Sequence, residues 1–117
     1  MSFSVTVHHG PFLLIVALGD GMIRDVLGMI DLAARVAQMQ DYRRVLFDST
    51  SVRFHLSEEE AELSGKHVAA ALFGMEKVAS VVRVRSVGKV GEKAARAGGL
   101  QIGTFMELKA ATDWIAE

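Results

Sequence analysis

The residues able to do chemistry fall into three groups. Residues 48–51 read Asp-Ser-Thr-Ser directly after an apolar run, Val45-Leu46-Phe47. In open α/β sheets ligands bind at the carboxyl ends of the strands, so Asp48, Ser49 and Ser51 are candidates for orienting a small polar head group. Ser49 beside Asp48 or a histidine would also suit a nucleophile, but no G-x-S-x-G elbow is present. Asp, Ser and Thr are equally good turn formers, and a polar turn is the commoner use of such a tetrad. The second group is basic: Arg83, Arg85, Lys89, Lys93 and Arg96 stand against Glu92 alone. SVGKVG at 86–91 lies where a strand passes into a helix, a place where free amides can hold an anion. It is not a P-loop, and a solvated helix face is the commoner reading. Arg83 and Arg85 are expected to share one face near a strand end, where full burial would demand partners. Glu58, Glu59, Glu60 and Glu62 are the expected source, within the chain or from a second copy. The third group is the histidines. His8 and His9 are adjacent near a strand end and point to opposite faces. His55 precedes a helix and His67 lies within it; with the glutamates they are ligand types suited to zinc. No H-E-x-x-H or similar spacing is present, so no metal is expected, and only His55 is kept as a ligand-binding candidate.

The segment that positions the first group is 45–65, VLFDSTSVRFHLSEEEAELSG. It reads as an apolar strand, a short polar turn and a helix with an explicit start. Ser57 and Glu60 make the S-x-x-E capping box, in which the hydroxyl accepts from the amide of residue 60 and the carboxylate reaches back to the Ser57 amide. Glu58, Glu59 and Glu60 also face the positive end of the helix dipole.

Around this unit the periodicity alternates between strand and helix. Phe3, Val5 and Val7 alternate with polar residues, the pattern of a half-buried strand. FLLIVAL at 12–18 is a continuous apolar run, expected to be a strand buried on both faces. Residues 22–39 carry Ile23, Val26, Leu27, Ile30, Ala33, Ala34 and Ala37 at helical spacing. After the capped helix, with Ala61, Ser64, Val68, Ala71 and Leu72 inward, residues 77–84 (KVASVVRV) read as a third buried strand. Residues 87–97 read as a short helix with Val90, Ala94 and Ala97 inward, and 100–103 as a last strand. Thr104-Phe105-Met106-Glu107 repeats the capping-box spacing and predicts a terminal helix carrying Leu108, Ala111 and Ile115. The expected fold class is therefore α/β. An N-terminal antiparallel edge strand is followed by four βα units, giving a mainly parallel five-stranded sheet covered by helices.

Composition bounds the function classes. A chain of 117 residues fits one domain, 1–117. The net charge of -1 gives no reason to expect nucleic acid or an anionic membrane as partner. With no cysteine, thiolate catalysis, thiolate metal sites and disulfides are excluded. MSFSVTVHHG has no signal-peptide character and no apolar run suggests a membrane span, so a cytoplasmic protein is expected. Methionines 22, 29, 39, 75 and 106 are numerous; they suit a greasy pocket and, more commonly, core gaps.

The order of elements resembles the SpoIIAA-like superfamily, which holds the STAS domains and the related CRAL-TRIO lipid-binding domains, over almost the whole chain. Val52-Arg53-Phe54 stands where the STAS segment has V-T-F before its helix. In sporulation-type members an Asp-Ser-Ser(Thr) triplet follows, and its second hydroxyl residue is phosphorylated by an anti-sigma kinase. Here the triplet is Leu56-Ser57-Glu58, followed by Glu59 in place of glycine. A fixed carboxylate has less charge and fewer acceptor oxygens than a phosphate, so the switch is not carried over. The ending, LQIGTFMELKAATDWIAE, resembles the short bacterial STAS/SEC14-type group.

The expected function is a non-enzymatic binding or interaction module without cofactor, for a small amphipathic, lipid-like ligand or a regulatory protein, acting as a homo-oligomer. The expected ligand-binding residues are Asp48, Ser49, Ser51, His55, Arg83, Arg85 and Lys89. The alternatives are an anti-sigma-factor-antagonist-like STAS regulator without the phosphorylatable residue and, further off, a hydrolase using Ser49.

Overall fold

The computed structural model describes residues 1–117, apart from the side chain of Ser86. The alternating amino terminus forms β1 (Ser4–His8), which pairs antiparallel with β2 (Leu13–Gly21). The chain continues through α1 (Ile23–Gln40), β3 (Arg44–Phe54), α2 (Glu58–Ala71), β4 (Lys77–Val81), α3 (Arg85–Ala97), β5 (Ile102–Phe105) and α4 (Leu108–Ala116). Strands β2 to β5 are parallel, and the sheet order β1-β2-β3-β4-β5 follows the chain. The expected architecture is present.

That strand order decides how the sheet is covered. Right-handed crossovers between consecutive neighbours send every crossover helix to the same face. Helices α1, α2 and α3 accordingly pack together over Leu13, Ile15, Val45, Phe47, Val78 and Ile102. Only α4 lies on the other face, where Ala111 and Ile115 cover Leu46, Ala79 and Val81. The expectation that residues 12–18 are buried on both faces is thereby corrected. Leu13, Ile15 and Ala17 are buried, whereas Leu14 and Val16 are half-buried and Leu18 is exposed, because α4 does not reach across to β2 and β1.

Two basic side chains hold α4 in place. The Arg44 guanidinium donates to the carbonyls of Ile115 (2.5 Å) and Glu117 (3.0 Å), and Lys77 Nζ to that of Trp114 (2.8 Å). Lys77 Nζ also lies 4.9 Å from the centre of the Trp114 ring. Cations on the last carbonyls of a helix satisfy otherwise unpaired acceptors and meet the negative end of its dipole. The other end of α4 differs from the expectation. Its N-cap is Glu107 with no side-chain cap, and Thr104, expected as the cap, is a buried residue of β5.

Three further boundaries move. The tetrad at 48–51 belongs to β3 and is not a turn. β4 ends at Val81, so Arg83 lies past its end and Arg85 opens α3; both are exposed and share no strand face. Ala97 is exposed, and the fully buried alanine of α3 is Ala95. Helix α2 keeps its expected start: Glu60 N–H donates to Ser57 Oγ at 3.1 Å, and Ser57 N–H to Glu60 Oε1 at 2.9 Å.

Candidate functional site

A β-bulge distributes the polar residues of β3. Val16 pairs with Asp48 but Leu18 pairs with Ser51, so Ser49 and Thr50 together lie opposite Ala17. Phe47 and Ser49 face α1–α3, while Asp48, on the α4 side, accepts from Thr50 N–H (3.2 Å) and Thr50 Oγ1 (2.8 Å). Beyond the bulge, Ser51 and Arg53 lie on the opposite side from Val52, which returns to the core.

The candidates from the sequence therefore do not form one site. Ser49 alone among them reaches the cavity between the sheet and the helices. Ser51 and Arg83 share a shallow groove with Arg53, Asp20 and Met1. His55 borders that groove through Asp20, its Nε2 lying 2.9 Å from Asp20 Oδ1. Asp48 is engaged within β3, and Arg85 and Lys89 are exposed on α3. Among the described residues, no ion pair joins Arg83 or Arg85 to the glutamates of α2, so the expected acidic partnership within the chain is absent; Glu62 pairs with Lys66 instead.

The histidines have local partners. His9 stacks on Tyr42, whose hydroxyl lies 3.0 Å from His9 Nδ1 and accepts from Gly10 N–H at 3.2 Å. His8 meets Thr6 Oγ1 at 3.2 Å, and His67 meets Asp31 at 2.7 Å, tying α2 to α1. The Asp20 carboxyl accepts from the Met1 ammonium at 2.6 Å as well as from His55. These two bonds, the ammonium's first, hold its pKa down to about 2. Among the described residues no three His, Asp or Glu side chains converge to hold a metal ion.

The cavity itself, about 110 Å³, lies at the carboxyl ends of β3, β4 and β5 beneath α1, α2 and α3. Its floor carries Phe47, Ser49, Ser80, Ile102 and Thr104, and its walls Val26, Met29 and Val68. Ser80 is the register partner of both Phe47 and Thr104, so two small hydroxyl residues stand side by side on β4 and β5, with Ser49 two positions beyond Phe47 on β3. The roof is the α2–α3 contact, where the helices meet at glycine. A Cβ built on Gly65 would stand 2.2 Å from the Gly91 carbonyl oxygen, and one on Gly88 would stand 2.9 Å from Thr104 Cγ2. Glu92 reaches the same cavity from α3; it is a quarter exposed and only loosely paired, 3.8 Å from Arg96 Nε. Ser80, Glu92 and Thr104 were not among the candidates. They come from separate segments with no spacing in common, and Thr104 carried a helix-cap pattern instead.

No protein-family model matches the chain, and no curated protein does. Solved structures do. An anti-sigma factor antagonist from Mycobacterium paratuberculosis superposes with a TM-score of 0.69 at 14% identity, over 99% of this chain and 96% of that one. A DUF3478-family protein from Shewanella loihica, described as having a SpoIIAA-like fold, superposes with a TM-score of 0.57 at 17% identity, over 97% and 93%. The fold is SpoIIAA-like. In this SpoIIAA-like chain the start of α2 is a self-contained cap: the Ser57 hydroxyl already accepts from Glu60 N–H, and Glu58 and Glu59 stand exposed beside it. The outer face of α2 continues through Glu62 and Leu63 to Phe73 just beyond the helix, which is 82% exposed. No described helix is long and apolar enough to cross a membrane.

Proposed function

We propose that this chain is a non-enzymatic docking module that holds a regulatory protein in the manner of an anti-sigma-factor antagonist, without phosphorylation at residue 58. The observation that carries the reading is the outer face of α2. On a SpoIIAA-like scaffold it presents Glu58, Glu59 and Glu62 near the exposed Leu63, with the exposed Phe73 beside Lys66 past its far end. An exposed apolar side chain beside an acidic helix start suits a partner that brings basic and apolar groups together. A cytoplasmic, homo-oligomeric protein goes with this reading. The outer edge of β1, with Val5 and Val7 and no charged residue before His8, offers strand pairing to a second copy.

Calorimetric titration of the unmodified chain against purified kinase-type anti-sigma factors tests it. Saturable binding without nucleotide is expected, weakened about tenfold in Glu58→Lys/Glu59→Lys. Failure to bind any of them, or indifference to the charge reversal, would overturn the proposal.

A second reading, a small amphipathic ligand, is favoured by the cavity beneath α2 and α3. That cavity, about 110 Å³ and half open to solvent, is lined mainly by apolar side chains.

A further inference from the structure

Among the described residues the most exposed large apolar side chain is Phe73, at 82%. It does not sit on a frayed end. Leu72 before it is fully buried, and Met75 N–H closes the turn by donating to the Leu72 carbonyl at 3.1 Å. Beside the ring a shallow apolar groove runs between α2 and α3, lined by Ala69, Ala70, Ala94, Ala97 and Gly98. An aromatic ring held in water next to an unfilled groove puts a projection and a recess on one face. Such a face is self-complementary, because a two-fold axis brings each projection to the recess of the other copy.

The charges around the groove select the occupant. Helices α2 and α3 both return from the carboxyl to the amino ends of parallel strands, so they lie side by side and run the same way. On α2 the stripe of Lys66, Ala70 and Phe73 continues back at helical spacing to the exposed Glu62 and Glu59. On α3 the stripe that holds Ala97 continues back to the exposed Lys93 and Lys89. Glu62 and Lys89 stand at one level, three and two residues before Gly65 and Gly91, where the helices meet. Among the described residues no ion pair joins the two helices: Glu62 pairs with Lys66 at 3.1 Å, and Glu92 with Arg96 at 3.8 Å. A two-fold axis along the groove lays the acidic half of α2 on the basic half of α3 in the other copy, twice over. An axis across the helices would set α3 on α3, cation against cation. We propose that this face binds a second copy of the chain, with α2 of each copy on α3 of the other and each Phe73 against the facing alanine groove. The proposal goes beyond the docking of a regulatory protein and does not depend on it. A second copy covers Glu59 and Glu62, so the two occupants exclude one another there.

Sedimentation equilibrium of the full chain, from low micromolar to millimolar concentration, reads the assembly with no other protein present. A monomer–dimer equilibrium is expected. Phe73→Asp alters only an exposed ring, so the fold should persist while dimerisation weakens about tenfold or more. Glu62→Lys and Lys89→Glu should each weaken it about tenfold, and the two combined in one chain should restore it to within about threefold of the parent. Thr6→Lys, midway along the open edge of β1, should leave the equilibrium unchanged. A chain that stays monomeric throughout would overturn the proposal, and so would a dimer that survives Phe73→Asp. Loss of the dimer in Thr6→Lys would place the contact at the β1 edge and overturn it equally. If the combined charge variant is no stronger than the single ones, α2 does not lie on α3 and the two-fold arrangement falls. None of these failures touches the docking of a regulatory protein, which has its own titration.

Discussion

Helices α2 and α3 both follow a strand of the same sheet and roof the same cavity, yet they begin in opposite ways. The start of α2 is satisfied by its own side chains, with Ser57 and Glu60 exchanging hydrogen bonds and three glutamates in the first turn. Helix α3 begins on Val84, with no side-chain cap, no acidic residue in its first turn, and Arg85 at the positive end of the dipole. One helix start is written into local chemistry. The other depends on its neighbours, and above all on the close approach of Gly91 to Gly65.

The difference can be broken at its most sensitive point. Gly65→Ala puts a methyl group 2.2 Å from the Gly91 carbonyl oxygen and 2.9 Å from Ala94 Cβ. Alanine's helix advantage of about 1 kcal/mol is outweighed by overpacking, for a net loss of about 2 kcal/mol. Thermal unfolding should show Tm lowered by about 8 °C. A rise in Tm would mean that the two helices do not meet at these glycines.

Ser57→Ala removes one half of the α2 capping box and should cost about 1 kcal/mol; an unchanged denaturant midpoint would show that the helix does not start there. Val84→Ser supplies α3 with the acceptor it lacks and should gain somewhat under about 1 kcal/mol. Arg85→Glu, by reversing charge at the dipole, should gain about 0.5 kcal/mol at low salt and less at high salt. If both α3 variants were destabilising, the asymmetry between the two starts would be wrong. The remaining effect is a matter of pH. Asp20 has a folded pKa of about 2, below its ordinary value of 3.8. Its contribution favours the folded state above pH 4 and is lost as pH falls through about 2. Asp20→Asn should flatten the acid limb of Tm against pH between 4 and 2, and a limb as steep as the parent's would place the acid sensitivity elsewhere.

The same contrast explains what could be read in the sequence. The capping box at Ser57 and the alternation of apolar periods report local physics, and they are in place where expected. The Asp48–Ser51 tetrad misleads because Ser and Thr serve turns and strands alike, and pairing with β2, which runs on to Phe54, decides the outcome. The bulge at Ser49 and Thr50 cannot be seen from residue types, yet it sends Ser49 to one face and Ser51 to the other. Thr104 carried an S/T-x-x-E spacing that the sheet overrode, since pairing with Ser80 places it inside the structure. The cavity brings together Ser49, Ser80, Glu92 and Thr104 through tertiary packing alone.

One consequence of the strand order concerns assembly. The strands lie side by side in the order in which they are synthesised, so each one leaving the ribosome finds its neighbour already made. Only the β1–β2 pairing is local; the parallel pairings, beginning at Leu13↔Val45, Arg44↔Lys77 and Val78↔Ile102, each span a whole crossover helix. In chain order the sheet extends one way from the β1–β2 hairpin, and α4, which follows all five strands, covers its other face.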